Sequence, residues 1–315
     1  DMRYSAEKVE ASRNFANKLW NAARFILMNL EGHAVPNELP QTLELEDQWI
    51  ISAFNRTAKE VTENLEKFEL GIAAQKVYDF LWDQFCDWYI EIAKIRLNAA
   101  DGQAAQHVRQ VLVWVMTGTL KLLHPFMPFI TEEIWQTLPH QGDALMTSSW
   151  PVYTPAHEFA QAEAEMQRVM DVIYGVRNRR AEMNVPPSRK TRLYLATEQP
   201  ETFKRADAIL QKLAYATEIT LGKAFEPEGA VTIITNDAKV YIPMDELVDK
   251  KAELARLTKE LETAQKQLAQ VSGKLNNQGF LAKAPEQVVQ GVKQEFATLT
   301  ERVRLLEDGI AALRD

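Results

Sequence analysis

Cysteine is all but missing, with Cys86 the only one in 315 residues. A single cysteine excludes a disulfide framework and any structural zinc site built on thiolates. It fits a chain that works in a reducing cytosol. No run of about 18 apolar residues occurs and no basic-then-apolar leader opens the chain, so neither a membrane span nor export is expected. Chemical signatures are missing as well. The sequence has no glycine-rich phosphate loop, no histidine pair at ligand spacing and no Ser/His/Asp pattern with supporting context; its five histidines are scattered. No catalytic residue and no metal ligand set is expected. The opening, Asp1-Met2-Arg3-Tyr4-Ser5, does not look like a natural start and suggests an excised piece.

The formal net charge is −8, which argues against a surface that attracts nucleic acid everywhere. The distribution is uneven. Residues 1–150 carry 13 basic and 20 acidic side chains, residues 151–243 carry 12 of each, and residues 244–315 carry 11 and 12. One stretch, 168–192, gathers seven basic residues (Arg168, Arg177, Arg179, Arg180, Arg189, Lys190, Arg192) against Asp171 and Glu182. Any RNA contact must therefore use local patches, not the whole surface.

The hydrophobic periodicity divides the chain into three parts. Over 1–150 it predicts a helix bundle. A first helix carries Val9, Phe15, Leu19, Trp20, Ala23, Ile26 and Leu27 as an apolar stripe. A second starts near Glu44, a third near Gly71 with Trp82, Phe85, Trp88 and Tyr89 as core, and a fourth near Ala104. A short helix from Ile130 to Leu138 closes the group, and His124 is read as a capping or packing residue. Over 151–243 a helix from about Phe159 to Met183 precedes short β-like runs at 191–196, 219–221, 231–235 and 240–243, with a helical segment 200–215 between them. This is a small α/β connector. Over 244–315 leucines recur every seventh residue (Leu247, Leu254, Leu261, Leu268, Leu275), and a second series runs Val289, Phe296, Val303, Ile310. Two matched heptad series split by Gly279 and Pro285 predict an antiparallel two-helix coiled coil. The expected fold is mainly α.

Several segments resemble a known family. Arg13-Asn14-Phe15-Ala16-Asn17-Lys18-Leu19-Trp20-Asn21-Ala22-Ala23-Arg24-Phe25 resembles the first helix of the anticodon-binding domain of class I synthetases for branched aliphatic amino acids. His124-Pro125-Phe126-Met127-Pro128-Phe129 through Trp135 resembles the close of that domain. Val176-Arg177-Asn178 and Glu182-Met183-Asn184-Val185-Pro186-Pro187-Ser188 resemble the connector beyond it. The run from Lys274 to Val289 is similar to the coiled-coil tip of bacterial valyl-tRNA synthetases. Isoleucyl enzymes of bacteria often end instead in a cysteine-rich zinc module that one cysteine cannot build.

The resemblance implies that the chain binds tRNA(Val), reading the anticodon with the bundle and the tRNA elbow with the arm. It implies that ATP and Mg are used by a catalytic domain absent from the chain. That domain and the editing domain of the same polypeptide would be its other partners, in a cytoplasmic monomer. Arg13, Asn14, Asn17, Lys18, Asn21 and Arg24 are the helix candidates for RNA contact, since asparagine and arginine forks match base edges; the alternative is that this face docks on the catalytic domain. Arg177, Arg179, Arg180, Arg189 and Lys190 are the connector candidates. Lys274, Asn277, Phe280, Lys283, Lys293, Arg302 and Arg304 are the arm candidates, with Phe280 either stacking on RNA or plugging the hairpin. Two other readings stay open: a helical scaffold whose coiled coil pairs with a protein, or the equivalent region of an isoleucyl-type synthetase.

Overall fold

A computed structural model describes residues 5–98, 102–225, 227, 229–247, 250–276 and 286–314. Helix α1 (Ala6–Leu30) turns Phe15, Leu19, Ala22, Ala23 and Ile26 into the core. Val9 and Trp20, expected in that stripe, stand 52% and 48% exposed. At 100° per residue the two fall together, about a quarter-turn off the buried arc. Helix α2 (Leu45–Glu66) is the central strut. Glu44 and Asp47 form a capping box at its start, and it is buried on more than one side, from Trp49 through Val61.

Next, α3 (Leu70–Asp79) runs without a break through a π-helical stretch, Phe80–Tyr89, into α4 (Ile90–Leu97). The wider π turn brings residues five apart into line. Phe80 stacks on Phe85, five residues on, at 6.4 Å, and Phe85 stacks on Tyr89, four residues on, at 6.1 Å. Helix α5 (Gly102–Leu123) fills the remaining side, and α6 (Pro128–Trp135) closes the bundle. The closing helix begins two residues before the expected Ile130, because Pro128 at its first position already has helical φ. His124 Nδ1 lies 2.7 Å from Thr131 Oγ1, tying the two helices across the proline turn.

Inside the bundle sits a charged cluster. Arg96 of α4 donates to Asp47 at 2.6 Å and to Glu46 at 3.0 Å, and the Tyr89 hydroxyl donates to Asp47 at 2.7 Å. Asp47 is wholly buried and Glu46 nearly so.

Helix α7 (Ala160–Glu182) packs on the bundle and on a sheet. Toward the bundle, Glu163 accepts from Ser52 and Arg56, and Tyr174 Oη accepts from Trp88 Nε1 at 3.1 Å. Toward the sheet, a Cβ on Gly175 would lie 2.7 Å from Ile233 Cγ2, so glycine permits that approach. The sheet comprises β1 (Thr191–Thr197), β2 (Ala216–Gly222), β3 (Ala230–Ile234) and β4 (Ala238–Pro243), in the order β2-β1-β4-β3. The β1–β2 pair is parallel, and the crossover this demands is α8 (Pro200–Arg205) with α9 (Asp207–Leu213). The other pairs are antiparallel.

A short helix, α10 (Met244–Leu247), follows β4 and packs on β1 and β4. Leu247, read from sequence as the first seam leucine of the arm, is instead buried there. The arm consists of α11 (Lys250–Asn276) and α12 (Glu286–Arg314), packed against each other. Its described seam follows the heptads: Ala264, Val271 and Leu299 are buried, with Leu261, Leu268, Phe296, Val303 and Leu306 half-buried. Gln265 donates to Glu307 at 3.4 Å, the pairing an antiparallel hairpin requires. At about 1.5 Å rise per residue each helix spans roughly 40 Å.

The Asp47 cluster holds two carboxylates against one guanidinium, and desolvation followed by Asp47's charge raises the Glu46 carboxyl above its ordinary range. A raised acid favours the folded state most when protonated, so its contribution is full at low pH and is lost as pH rises through the folded pKa. Glu46→Gln keeps an acceptor for Arg96 and deletes the penalised charge. The variant is expected to melt higher than the parent at pH 7, with the gain shrinking as pH falls through the raised pKa and gone once pH is below the ordinary glutamate range. Thermal melts at several pH values check it, and a lower melting temperature at pH 7 contradicts it.

Candidate nucleic-acid interface

The exposed face of α1 carries Arg13, Asn14, Asn17, Trp20, Asn21 and Arg24. Successive members fall within one arc of the helix, opposite Phe15, Leu19 and Ile26. Trp20 is the addition that apolar patterning missed. Arg13 also meets Glu10 at 3.3 Å, an exposed pair that solvent weakens.

Lys18 lies apart from this set. It pairs with Asp87 at 2.6 Å and its Nζ sits 3.7 Å from the centre of the Trp82 ring. Beside it, burial, then the charges of Asp79 and Asp87, push the Asp83 carboxyl up. Lys18 therefore serves an acidic row on α3 and the π segment. That row repels phosphate from one flank of α1 and leaves the Arg13–Arg24 side for an anionic partner.

Helix α1 runs parallel to α3–α4: Phe15 stacks on Tyr78 at 4.7 Å, while Lys94 lies over Phe25. The amino-terminal end of α1 and the turn before α3 therefore share one end of the bundle. Phe68 in that turn is 88% exposed, at φ 59°. It takes the left-handed position after α2 that glycine usually fills, with Phe68 N donating to Leu65 O and Glu69 N to Asn64 O. Leu70 and Ile72 beside it are also exposed. A non-glycine residue held left-handed, with its ring in water, is costly on both counts. The sequence signal was a helix ending on Lys67-Phe68-Glu69 with no glycine at the stop.

The connector cations are mostly spent internally. Arg180 is 2% exposed and donates to Pro186 O at 3.1 Å and to Arg189 O, with its guanidinium over Tyr215. Arg177 donates to Leu213 O at 2.7 Å, and Arg189 to Leu247 O at 3.3 Å. Arg168 meets Asp237 at 3.4 Å and Arg192 pairs with Glu246. The counter-charges come from residues remote in sequence and from backbone carbonyls. Arg179, beside Glu182 at 3.1 Å, and Lys190 face solvent.

In the arm, Lys274, Lys293, Arg302 and Arg304 are exposed outside the seam, with Arg304 reaching Glu301 at 2.6 Å. Asn277, Phe280 and Lys283 lie outside the described residues. Burial pushes the Cys86 thiol up to about 12, too high for a reactive thiolate. Among the described residues no helix is long and apolar enough to cross a membrane.

Comparison with known proteins gives this arrangement a class. Residues 47–195 match the family described as the anticodon-binding domain of tRNA ligase, and residues 249–314 match the valyl tRNA synthetase tRNA binding arm. A valine–tRNA ligase of Clostridium acetobutylicum is 43% identical over 319 residues, covering 100% of this chain and 36% of the relative. Those of Listeria innocua and Bacillus subtilis are 41% and 39% identical, covering 98% and 94% of this chain and 36% and 34% of theirs. The chain belongs to the valine–tRNA ligase family and corresponds to the C-terminal part of its members. It spans about a third of the length of these relatives.

The placement of Arg180 generates a test. Arg180→Met removes a buried guanidinium from the carbonyls of Pro186 and Arg189 and is expected to cost about 1–3 kcal/mol of stability. Arg179→Gln, on the exposed neighbour, should stay within about 0.5 kcal/mol of the parent. Urea unfolding of both variants checks this; equal losses would contradict the assignment.

Proposed function

We propose that this chain is a tRNA-binding part of a valine–tRNA ligase. In this reading it holds tRNA(Val) for attachment of valine while contributing no reacting group. The observation that carries it is the exposed α1 face, where amide and guanidinium forks flank Trp20 opposite the packed side of the helix. Arginine and asparagine forks suit base edges, and an exposed aromatic suits an unstacked base. Phe68, at the end of the bundle shared with the start of α1, adds a second ring. The bundle reads the anticodon on this surface, and the arm supports the tRNA elbow through its exposed cations. ATP and magnesium chemistry belongs to the catalytic portion of the longer polypeptide, which with the editing portion is the chain's other partner. The protein works as a cytoplasmic monomer.

Binding is measured by gel shift with valine tRNA at two salt concentrations. The parent chain should bind and weaken with salt. Arg13→Glu with Arg24→Glu should weaken binding by at least about tenfold and reduce the log–log salt slope by about one per lost phosphate contact. No salt-sensitive binding by the parent would favour a scaffold that pairs with protein. The purified chain should show no valine-dependent ATP–pyrophosphate exchange.

Phe68 gives a sharper test because its two roles pull apart. Phe68→Gly relieves the left-handed strain, offset by glycine's extra chain entropy, so stability should hold or rise by up to about 1 kcal/mol. If the ring stacks on RNA, tRNA affinity falls in the same variant. A stability loss with unchanged affinity would make Phe68 a packing residue.

The arm is tested in a full-length enzyme cut after Leu247, which spares α10. Valine activation should survive, and tRNA use should weaken by one to three orders of magnitude, roughly 1.4 to 4 kcal/mol. Loss of activation in a folded enzyme would overturn the positioning role.

A further inference from the structure

The sheet buries one face under α7, α8 and α9, and the strand registers fix what the other face carries. Tyr194 of β1 is the direct partner of Tyr241 on β4, and Tyr241 that of Thr232 on β3. On the parallel side Tyr194 is level with Thr220, and Ala196 with Gly222. Since side chains alternate, the open face displays Arg192, Tyr194, Thr220, Thr232, Ile234, Lys239 and Tyr241, while Leu193, Leu195, Val240 and Ile242 go to the helices, all buried.

A third ring joins the two tyrosines. A Cβ on Gly222 would lie 2.7 Å from Phe225 Cζ, so the missing side chain lets Phe225 fold back over β2. There it packs on Tyr194, with ring centres 5.5 Å apart. Phe225, Tyr194 and Tyr241 thus form a half-buried aromatic row across three strands, continued by Ile234, which is 72% exposed. Lys239, two residues before Tyr241 on the same face, is exposed, and so is Lys223, which follows Gly222 at the end of β2. Glu218, level with Arg192, is the one carboxylate that the four strands place on this face.

We infer that this open sheet face is a second RNA-binding surface, which stacks unpaired nucleobases on Phe225, Tyr194 and Tyr241. The inference rests on the tRNA-binding reading above but uses a different part of the molecule. An aromatic row on the bare face of a four-stranded sheet stacks successive bases whatever their sequence, because every base has a π-face. Lys223 and Lys239 meet the phosphates that such bases bring with them. The threonine hydroxyls of β2 and β3 offer donors and acceptors to base or ribose edges. Lysine is depleted at protein–protein interfaces, so exposed lysines near the rings favour an RNA over a protein segment on this face.

The test uses the whole chain and a single-stranded RNA of about ten nucleotides. Tyr194→Leu with Tyr241→Leu should weaken binding by about tenfold or more, as expected for lost base stacking, with the melting temperature close to that of the parent. Tyr194→Phe with Tyr241→Phe should bind like the parent, since the rings remain. Lys223→Glu with Lys239→Glu should weaken binding and flatten its salt dependence. The Arg13→Glu, Arg24→Glu chain should keep its affinity for this oligonucleotide. If the leucine variant binds it as tightly as the parent, the sheet-face site is overturned, whether the face is bare or a seat for protein. If in that case the α1 variant still loses valine tRNA, the proposed function stands without the sheet face. Absence of any RNA binding by the parent overturns both.

Discussion

The buried pair between Asp47 and Arg96 sets much of the rest. Asp47 lies in α2, the helix packed on more than one side, and a carboxylate there without a partner would be far too costly to fold. Arg96 answers it from α4, and Tyr89 answers it from the π segment. Both donors must arrive together, which fixes the rotation and the height of the whole α3–α4 rod against α2. That rod in turn aligns α1, through Phe15 on Tyr78 and Lys18 on Asp87. The pair does not add much net stability, because desolvation offsets most of its attraction. Its effect is to select one arrangement among helices that apolar packing alone would leave freer to slide.

Charge is handled with the same economy elsewhere. An acidic chain that is to hold an anion must keep its cations from being spread thin, yet most of the connector's arginines turn inward. Arg177, Arg180 and Arg189 donate to carbonyls at chain turns, and Arg192 closes on Glu246. Their planar forks suit the task, since one guanidinium satisfies several acceptors at once. Some of the cations left exposed share a face with aromatic rings, Arg13 and Arg24 with Trp20 on α1 and Lys239 with Tyr194 and Tyr241 on the sheet. Such a surface discriminates by shape and stacking more than it attracts by field.

What was legible in the sequence is what repeats. The heptads of the arm, the apolar stripe through Phe15, Leu19 and Ile26, the helix start near Glu44 and the short β-like runs between 191 and 243 are local patterns whose physics is settled within a few turns. The bundle, the small sheet and the hairpin followed from them. Features that depend on contacts remote in sequence did not. Arg180 reads as a surface cation until Pro186 and Arg189 fold their carbonyls onto it. Leu247 fits a heptad register, but β4 ends so close before it that the sheet takes it. Trp20 is apolar and adjacent to Leu19, and only its angle, about 100° away, sends it to solvent. The π stretch has no compositional mark, because the aromatics that fill it also read as an ordinary core helix.

The exposed rings are where local preference and folded structure disagree, and such disagreements concentrate at sites of function. Phe68 is held in a backbone conformation that its own Cβ opposes, Trp20 is offered from a helix whose other aromatics, Phe15 and Phe25, are buried and half-buried, and Gly222 is bare so that Phe225 can lie across the sheet. The first two carry a cost with little return from packing, since Phe68 is 88% and Trp20 48% exposed. Helix α7 joins two of these regions, holding the bundle through Ser52, Arg56 and Trp88 and the sheet through Ile233. The α1 face and the sheet face are thereby carried on one packed body, and an RNA that touches both must conform to their spacing. A fixed spacing of that kind would reject RNAs of the wrong shape before any base edge is read, so that selectivity need not rest on charge alone.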